Sequence, residues 1–183
     1  MKEKMMNDMT PLGADFYARE CDEVARELVG KLIVRRIDGE ELVLRITETE
    51  SYGGAEDTAC HASKGRTPRT ELLFGKSGMI YVYLCYGIHW LFNVITGDIG
   101  RPQGVLIRAC EKYEGPARLT KYLRIDKSLN GKPIVGNDEI CIADDGFRPD
   151  VEKRRRVGID YASEADRNAL RRYADSRFRD ILK

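Results

Sequence analysis

The sequence predicts an α+β fold: a single domain built on a curved, largely antiparallel β-sheet flanked by helices. Three observations point there. Apolar and polar residues alternate in several short runs, and turn pairs such as Asp38-Gly39, Gly53-Gly54 and Tyr86-Gly87 separate or end them, which joins the strands as hairpins. Helical periodicity gathers towards the ends of the chain instead of alternating with the strands, which argues against a βαβ repeat. A length of 183 residues with 42% hydrophobic and 33% charged side chains suits one substantial core and does not suit a disordered chain.

The elements follow in order. Residues 1–12 read as a flexible polar tail and residues 13–183 as the domain. Residues 15–29 suit a helix, with Phe16, Val24, Ala25 and Leu28 as a loose apolar stripe and Gly30 as its stop. Residues 32–37 and 41–52 form a hairpin that turns at Asp38-Gly39. In its second strand Leu42, Leu44 and Ile46 alternate to one face, and the same alternation brings Glu48, Glu50 and Tyr52 to that face. An apolar face that ends in carboxylates aims the end of the strand at something polar. Residues 55–63 suit a helical turn, 64–70 a loop containing Pro68, and 75–78 a turn. Residues 79–84 and 91–96 read as strands, 105–111 as another, 114–123 as a helix, and 139–143 and 156–159 as short strands. Ser163 with Asp166 resembles a capping box opening a final helix.

Several function classes fall away. No apolar run approaches the roughly 20 residues that span a bilayer. Residues 1–10 carry Lys2 and Lys4 but lead into no apolar stretch, so export is not expected. The five cysteines (Cys21, Cys60, Cys85, Cys110, Cys141) include no Cys-x-x-Cys pair and are odd in number, which argues against a zinc knuckle, an iron–sulfur cluster or a disulfide framework. Buried free thiols in a reducing compartment fit better. The net charge of +1 does not advertise a nucleic-acid binder, but the charges are segregated. Residues 38–57 are acidic apart from Arg45, residues 64–76 are basic apart from Glu71, and Lys153 to Arg156 form a second basic run that serves either as a solvated face or as a binding surface.

The densest chemistry lies in Glu48, Glu50 and Tyr52, His61, the tyrosines Tyr81, Tyr83 and Tyr86, then Asn93 and Arg108. Rings to stack on, an amide to read an edge and an acid beside them suit a planar aromatic ligand. Each residue also has a plain structural use. A strand glutamate is commonly solvated, a single histidine commonly a hydrogen-bonding post, and strand tyrosines commonly core and rim. Arg108, set in Leu106-Ile107-Arg108-Ala109, needs a carboxylate partner if buried, and Glu48 or Glu50 could be that partner.

Stretches from residue 28 to residue 160 match one known family in one order. They are 28–36, 46–52, 56–62, 66–69, 78–87, 92–94, 105–109, 115–120 and 156–159. Through them the chain resembles the alkyladenine (3-methyladenine) DNA glycosylases. The resemblance implies that Glu50 is the general base and that Arg108 helps to hold the attacking water. It implies that Tyr52, His61 and Tyr83 sandwich the damaged base, that Asn93 excludes guanine by opposing its 2-amino group, and that Tyr86 wedges into the duplex. His89 and Trp90, beside the wedge, depart from the family pattern, and residues from 160 onward match it loosely.

The chemistry so implied is monofunctional hydrolysis. A nucleotide must leave the stack before its glycosidic bond can be reached. Electron-rich rings such as Tyr52 and Tyr83 are expected to favour a cationic, alkylated base. Arg108 is expected to keep Glu50 ionised, and His61 is a candidate proton source for a neutral lesion such as hypoxanthine. No lysine occupies a matched catalytic slot, so water attacks and an abasic site remains. No cofactor and no metal are implied. The expected partner is duplex DNA carrying a damaged purine, bound by a monomer without a membrane, in a bacterial cytoplasm (at the nucleoid) or in a nucleus according to the source. The rival readings are a non-catalytic lesion binder of the same fold and a hydrolase of free nucleosides.

Overall fold

The computed structural model describes residues 9–178. Of the expected tail, residues 1–8 lie outside the described residues, and Thr10–Pro11 form the short strand β1. Then come α1 (Ala14–Tyr17), α2 (Cys21–Leu28), β2 (Leu32–Ile37), β3 (Glu40–Tyr52), β4 (Ile80–Cys85), β5 (His89–Thr96) and β6 (Gln103–Cys110). The chain continues through α3 (Pro116–Tyr122), β7 (Ile140–Asp144), β8 (Val151–Arg154), α4 (Glu164–Asn168) and β9 (Arg172–Asp175). The sheet runs β1-β7-β2-β3-β6-β5-β4, with β9 pairing both β3 and β8, and every pair is antiparallel. The predicted α+β architecture therefore stands.

Alternation along the strands divides the sheet into a core face and a site face. Ile80 and Val82 of β4, Phe92 and Val94 of β5, and Val105 and Ile107 of β6 join one large cluster with Val24, Ala25 and Leu28 of α2 and Leu119 of α3. Their strand neighbours Tyr81 and Ile95 point the other way, into a smaller cluster with Cys60, Ala62 and Leu73. Tyr52 and Tyr83 pack against that second cluster.

Several sequence expectations need correction. The helix at 15–29 is two helices, because Glu20 adopts an extended conformation and Gln103 supplies a new cap. The Gln103 Oε1 accepts from the Cys21 N–H at 3.0 Å, while its Nε2 donates to Glu20 at 2.9 Å. Leu44 and Ile46 do not share a face with Glu50 and Tyr52. Register shifts on either side of Glu48 reverse the phase of the alternation, as a β-bulge does. Past the shift Thr49 hydrogen-bonds Ala25 O and Ser51 hydrogen-bonds Asp22, so these two face α2 and leave Glu50 and Tyr52 to the opposite side. Residues 55–63 are turns that run into a 3₁₀ turn at His61–Lys64, and a second 3₁₀ turn, Glu71–Phe74, falls within the basic segment.

Residues 156–159 are not a strand; their backbone closes over the site instead of pairing. Arg156, read as part of a basic surface run, is 5% exposed. Ser163 does cap a helix, its Oγ accepting from Asp166 N at 3.2 Å, but the helix ends at Asn168 and β9 follows. Among the described residues no helix is long and apolar enough to cross a membrane.

Candidate active site

Four strands deliver side chains to a common hollow. Glu50 and Tyr52 come from β3, Tyr81 and Tyr83 from β4, Asn93 from β5, and Leu106 and Arg108 from β6. His61 enters from its 3₁₀ turn, Lys64 and Arg69 from the basic segment, and Val157, Gly158 and Tyr161 from the segment after β8. The cavity they line measures about 690 Å³, within the range of pockets that enclose a small planar ligand. All seven residues singled out from the sequence (Glu50, Arg108, Tyr52, His61, Tyr83, Asn93 and Tyr86) line it.

Glu50 sits at the floor with 0% exposure. Its Oε2 accepts from the Tyr52 hydroxyl at 2.9 Å and its Oε1 from the Val157 N–H at 2.9 Å. Burial pushes its pKa above the ordinary carboxylate value, against the opposing pull of Arg108, the Val157 N–H and the Tyr52 hydroxyl. Arg108 is not primarily paired with Glu50. Its Nε lies 2.8 Å from Glu48 Oε1 and 3.6 Å from Glu50 Oε1. Arg172 of β9 also reaches Glu48, at 3.2 Å. Glu48 is thus the fixed anchor of Arg108, and burial acts on the Glu50 pKa more strongly than the attraction of Arg108 that opposes it.

The aromatic wall is built by contact between rings. His61 meets Tyr83 edge-on, with centroids 4.6 Å apart and planes at 71°, and Tyr81 and Tyr83 lie 5.3 Å apart. His61 Nδ1 hydrogen-bonds the Tyr81 hydroxyl at 3.0 Å. Burial, followed by Arg69 and Lys64, lowers the His61 pKa to about 4, so the imidazole is neutral at neutral pH and is not an imidazolium acid for a leaving base. Asn93 is buried, and its Nδ2 donates to Tyr81 O at 3.1 Å and Leu91 O at 3.4 Å. Both partners are acceptors, which fixes the orientation of the amide. Tyr86 stands at the tip of the β4–β5 hairpin, 88% exposed and with φ of 50°. Ile88 beside it is 70% exposed.

A clasp that the sequence did not announce holds the roof. Arg156 meets Asp57 bidentately at 2.6 and 2.8 Å, both side chains being essentially sealed from solvent. Asp57 also accepts from the Gly53 and Ala59 N–H groups at 3.0 and 3.1 Å, and Arg156 donates to Ser51 O at 3.0 Å. The Arg156 guanidinium lies 4.8 Å from the centroid of the Tyr52 ring. Tyr161 of the same segment donates to Ala59 O at 2.9 Å. Arg156 showed in the sequence as part of a basic run and of a family-matched stretch, and neither gave a means to pair it with Asp57 across 99 residues. Among the described residues no three His, Cys, Asp or Glu side chains gather as a metal-binding group, and the five cysteines are free.

The family model described as Methylpurine-DNA glycosylase matches residues 15–115 and 111–177. A relative from Desulfitobacterium hafniense is 40% identical over 185 aligned positions, covering 86% of this chain and 91% of the relative. One from Natranaerobius thermophilus is 40% identical, covering 84% and 89%. One from Legionella pneumophila is 41% identical, covering 90% and 94%. All three bear the name "Putative 3-methyladenine DNA glycosylase".

Proposed function

The chain belongs to the methylpurine-DNA glycosylase family, and on that premise we propose that Glu50 activates a water against the sugar of a damaged purine nucleotide held in the aromatic cavity. The protein is a DNA glycosylase, a hydrolase of N-glycosyl bonds. The observation that carries the assignment of roles is the position of Glu50: a buried carboxylate in a cavity walled by Tyr52, His61 and Tyr83, with the Nε of Arg108 3.6 Å from its Oε1.

In this reading the duplex gives up one nucleotide to the cavity, and the exposed Tyr86 fills the gap in the stack. Eversion costs a few kcal/mol, less for a poorly paired base, and stacking returns roughly 1–3 kcal/mol per base. The sugar develops positive charge as the glycosidic bond lengthens, and the bonding electrons leave with the base. Water attacks the anomeric carbon and passes a proton to Glu50. Since Glu50 has no accessible area in the free protein, the Tyr52 hydroxyl or the Val157 backbone gives way when substrate enters. Asn93, pinned by two carbonyls, acts as a rigid wall against a purine that carries an extra amino group. A pKa raised by burial makes Glu50 a stronger base than an ordinary glutamate and sets an acidic limb to the activity. A neutral lesion finds no imidazolium acid in His61, whose pKa of about 4 leaves the ring neutral at neutral pH.

No Schiff base is involved, and the strand is left with an abasic site. The protein acts as a monomer, and in bacteria such as those of its relatives its substrate is the DNA of the nucleoid. Glu50→Gln is the direct test: excision from a single-lesion duplex is expected to fall by about 10²–10⁴-fold while lesion binding persists. Release of free base at the wild-type rate would remove Glu50 from the mechanism.

A further inference from the structure

Two guanidinium groups lie over the tyrosine rings of the cavity. Arg156 is 4.8 Å from the centroid of Tyr52, and Arg69 is 5.3 Å from that of Tyr83. They differ in what neutralises them. Arg156 is sealed against Asp57. Arg69 is exposed, lines the cavity, and pairs with no carboxylate among the described residues; Glu71, the acid on its own segment, is taken by Arg66 at 3.2 Å. The wall beside Arg69 responds to that positive potential, since Arg69 and Lys64 both add to the lowering of the His61 pKa that burial begins.

We propose that Arg69 sets the charge selectivity of the cavity, its guanidinium at the Tyr83 wall penalising a cationic alkylated purine relative to a neutral lesion. The inference rests on the glycosylase reading above. Two effects act with the same sign. A tyrosine ring that already attracts one cation has less quadrupole to offer a second. A fixed positive charge at the cavity wall also repels a cationic base directly. Neither effect touches a neutral base, whose stacking on Tyr83 depends on contact area and ring geometry. This reverses the expectation drawn from the tyrosines alone, in which electron-rich rings recruit the cation. It also suits the chemistry: a cationic base leaves readily, whereas a neutral one leaves slowly and gains more from being held.

The experiment compares duplexes that differ only in the lesion, 7-methylguanine as the cation and hypoxanthine as the neutral base, with spontaneous loss subtracted. Arg69→Gln is expected to raise the cationic-over-neutral ratio of kcat/KM by about tenfold, the factor that 1.4 kcal/mol makes. Arg69→Lys, which keeps the charge, is expected to hold the ratio near that of the wild type. An unchanged ratio in Arg69→Gln overturns the proposal. So does an equal loss on both lesions with a shallower dependence on salt, which would make Arg69 a phosphate contact. Either result leaves excision by the wild-type protein, and hence the reading of the site, intact.

Discussion

At the scale of one residue, Glu50 is held in two opposed ways. Burial raises its pKa, while the Tyr52 hydroxyl, the Val157 N–H and Arg108 favour its ionised form. Tyr52→Phe deletes one of those donors and leaves the ring in place. The pKa should then rise further, so the acidic limb of kcat/KM should move to higher pH, with more activity lost at pH 6 than at pH 8. A limb that stays where it is would show that another group titrates. The same conflict bears on stability. A carboxyl whose folded pKa is raised contributes stability that is present below its unfolded value and is lost as pH rises through the folded one. Glu50→Gln removes that loss. At neutral pH the inactive variant should melt at or above the wild-type temperature, and the difference should shrink as pH falls towards 4.5, the ordinary glutamate value. Melting curves by circular dichroism across that range decide it; a variant less stable than the wild type at neutral pH would mean that the hydrogen bonds of Glu50 outweigh its burial.

At the scale of elements, the β4–β5 hairpin joins the core to the proposed wedge. Cys85 O accepts from Ile88 N at 3.1 Å, and the two residues between them, Tyr86 and Gly87, have φ of 50° and 72°. Such a turn matches the twist of the strands but suits glycine at both positions, so a tyrosine held there is strained without a packing contact to show for it. Tyr86→Ala should weaken binding to a lesion duplex about tenfold, the loss of one stacked ring, with little change in melting; unchanged binding would place the wedge elsewhere, with Ile88 the next candidate. This hairpin was legible because its turn pair and its alternation are local. The β2–β3 hairpin was legible for the same reason, and its Asp38-Gly39 turn also takes two positive φ values. The bulge at Glu48 was not, since it depends on how β6 and β9 meet β3. The break at Glu20 was hidden because its cap, Gln103, comes from a strand 83 residues away. The seven site residues stood out by residue type and took their roles from family resemblance, whereas alternation alone would have put Glu50 on the wrong side of the sheet.

At the scale of the molecule, the sheet keeps its core on one face and its chemistry on the other, and the second face needs a roof that no helix provides. Residues 155–161 serve as that roof, held down by the Arg156–Asp57 pair. Asp57 is buried, which alone would raise its pKa, but Arg156 and the Gly53 and Ala59 N–H groups outweigh that and hold it below the ordinary aspartate value. Its contribution to stability is therefore present above the unfolded value and is lost as pH falls through the folded one. Asp57→Asn keeps the shape but leaves Arg156 as an uncompensated buried charge, at a cost of about 3–5 kcal/mol. For a chain of this length that corresponds to a fall in Tm of roughly 10 °C. The gap between wild type and variant should be widest at neutral pH, begin to narrow below pH 3.8, the ordinary aspartate value, and close as pH falls through the lower folded value, where the wild type protonates the same carboxyl. Excision should fall together with stability, because the roof carries the Val157 N–H that holds Glu50 and the guanidinium that backs Tyr52. A variant that melted as the wild type does at neutral pH would mean that the roof is held by Tyr161 and the Ser163–Thr58 contact, with the ion pair contributing nothing net.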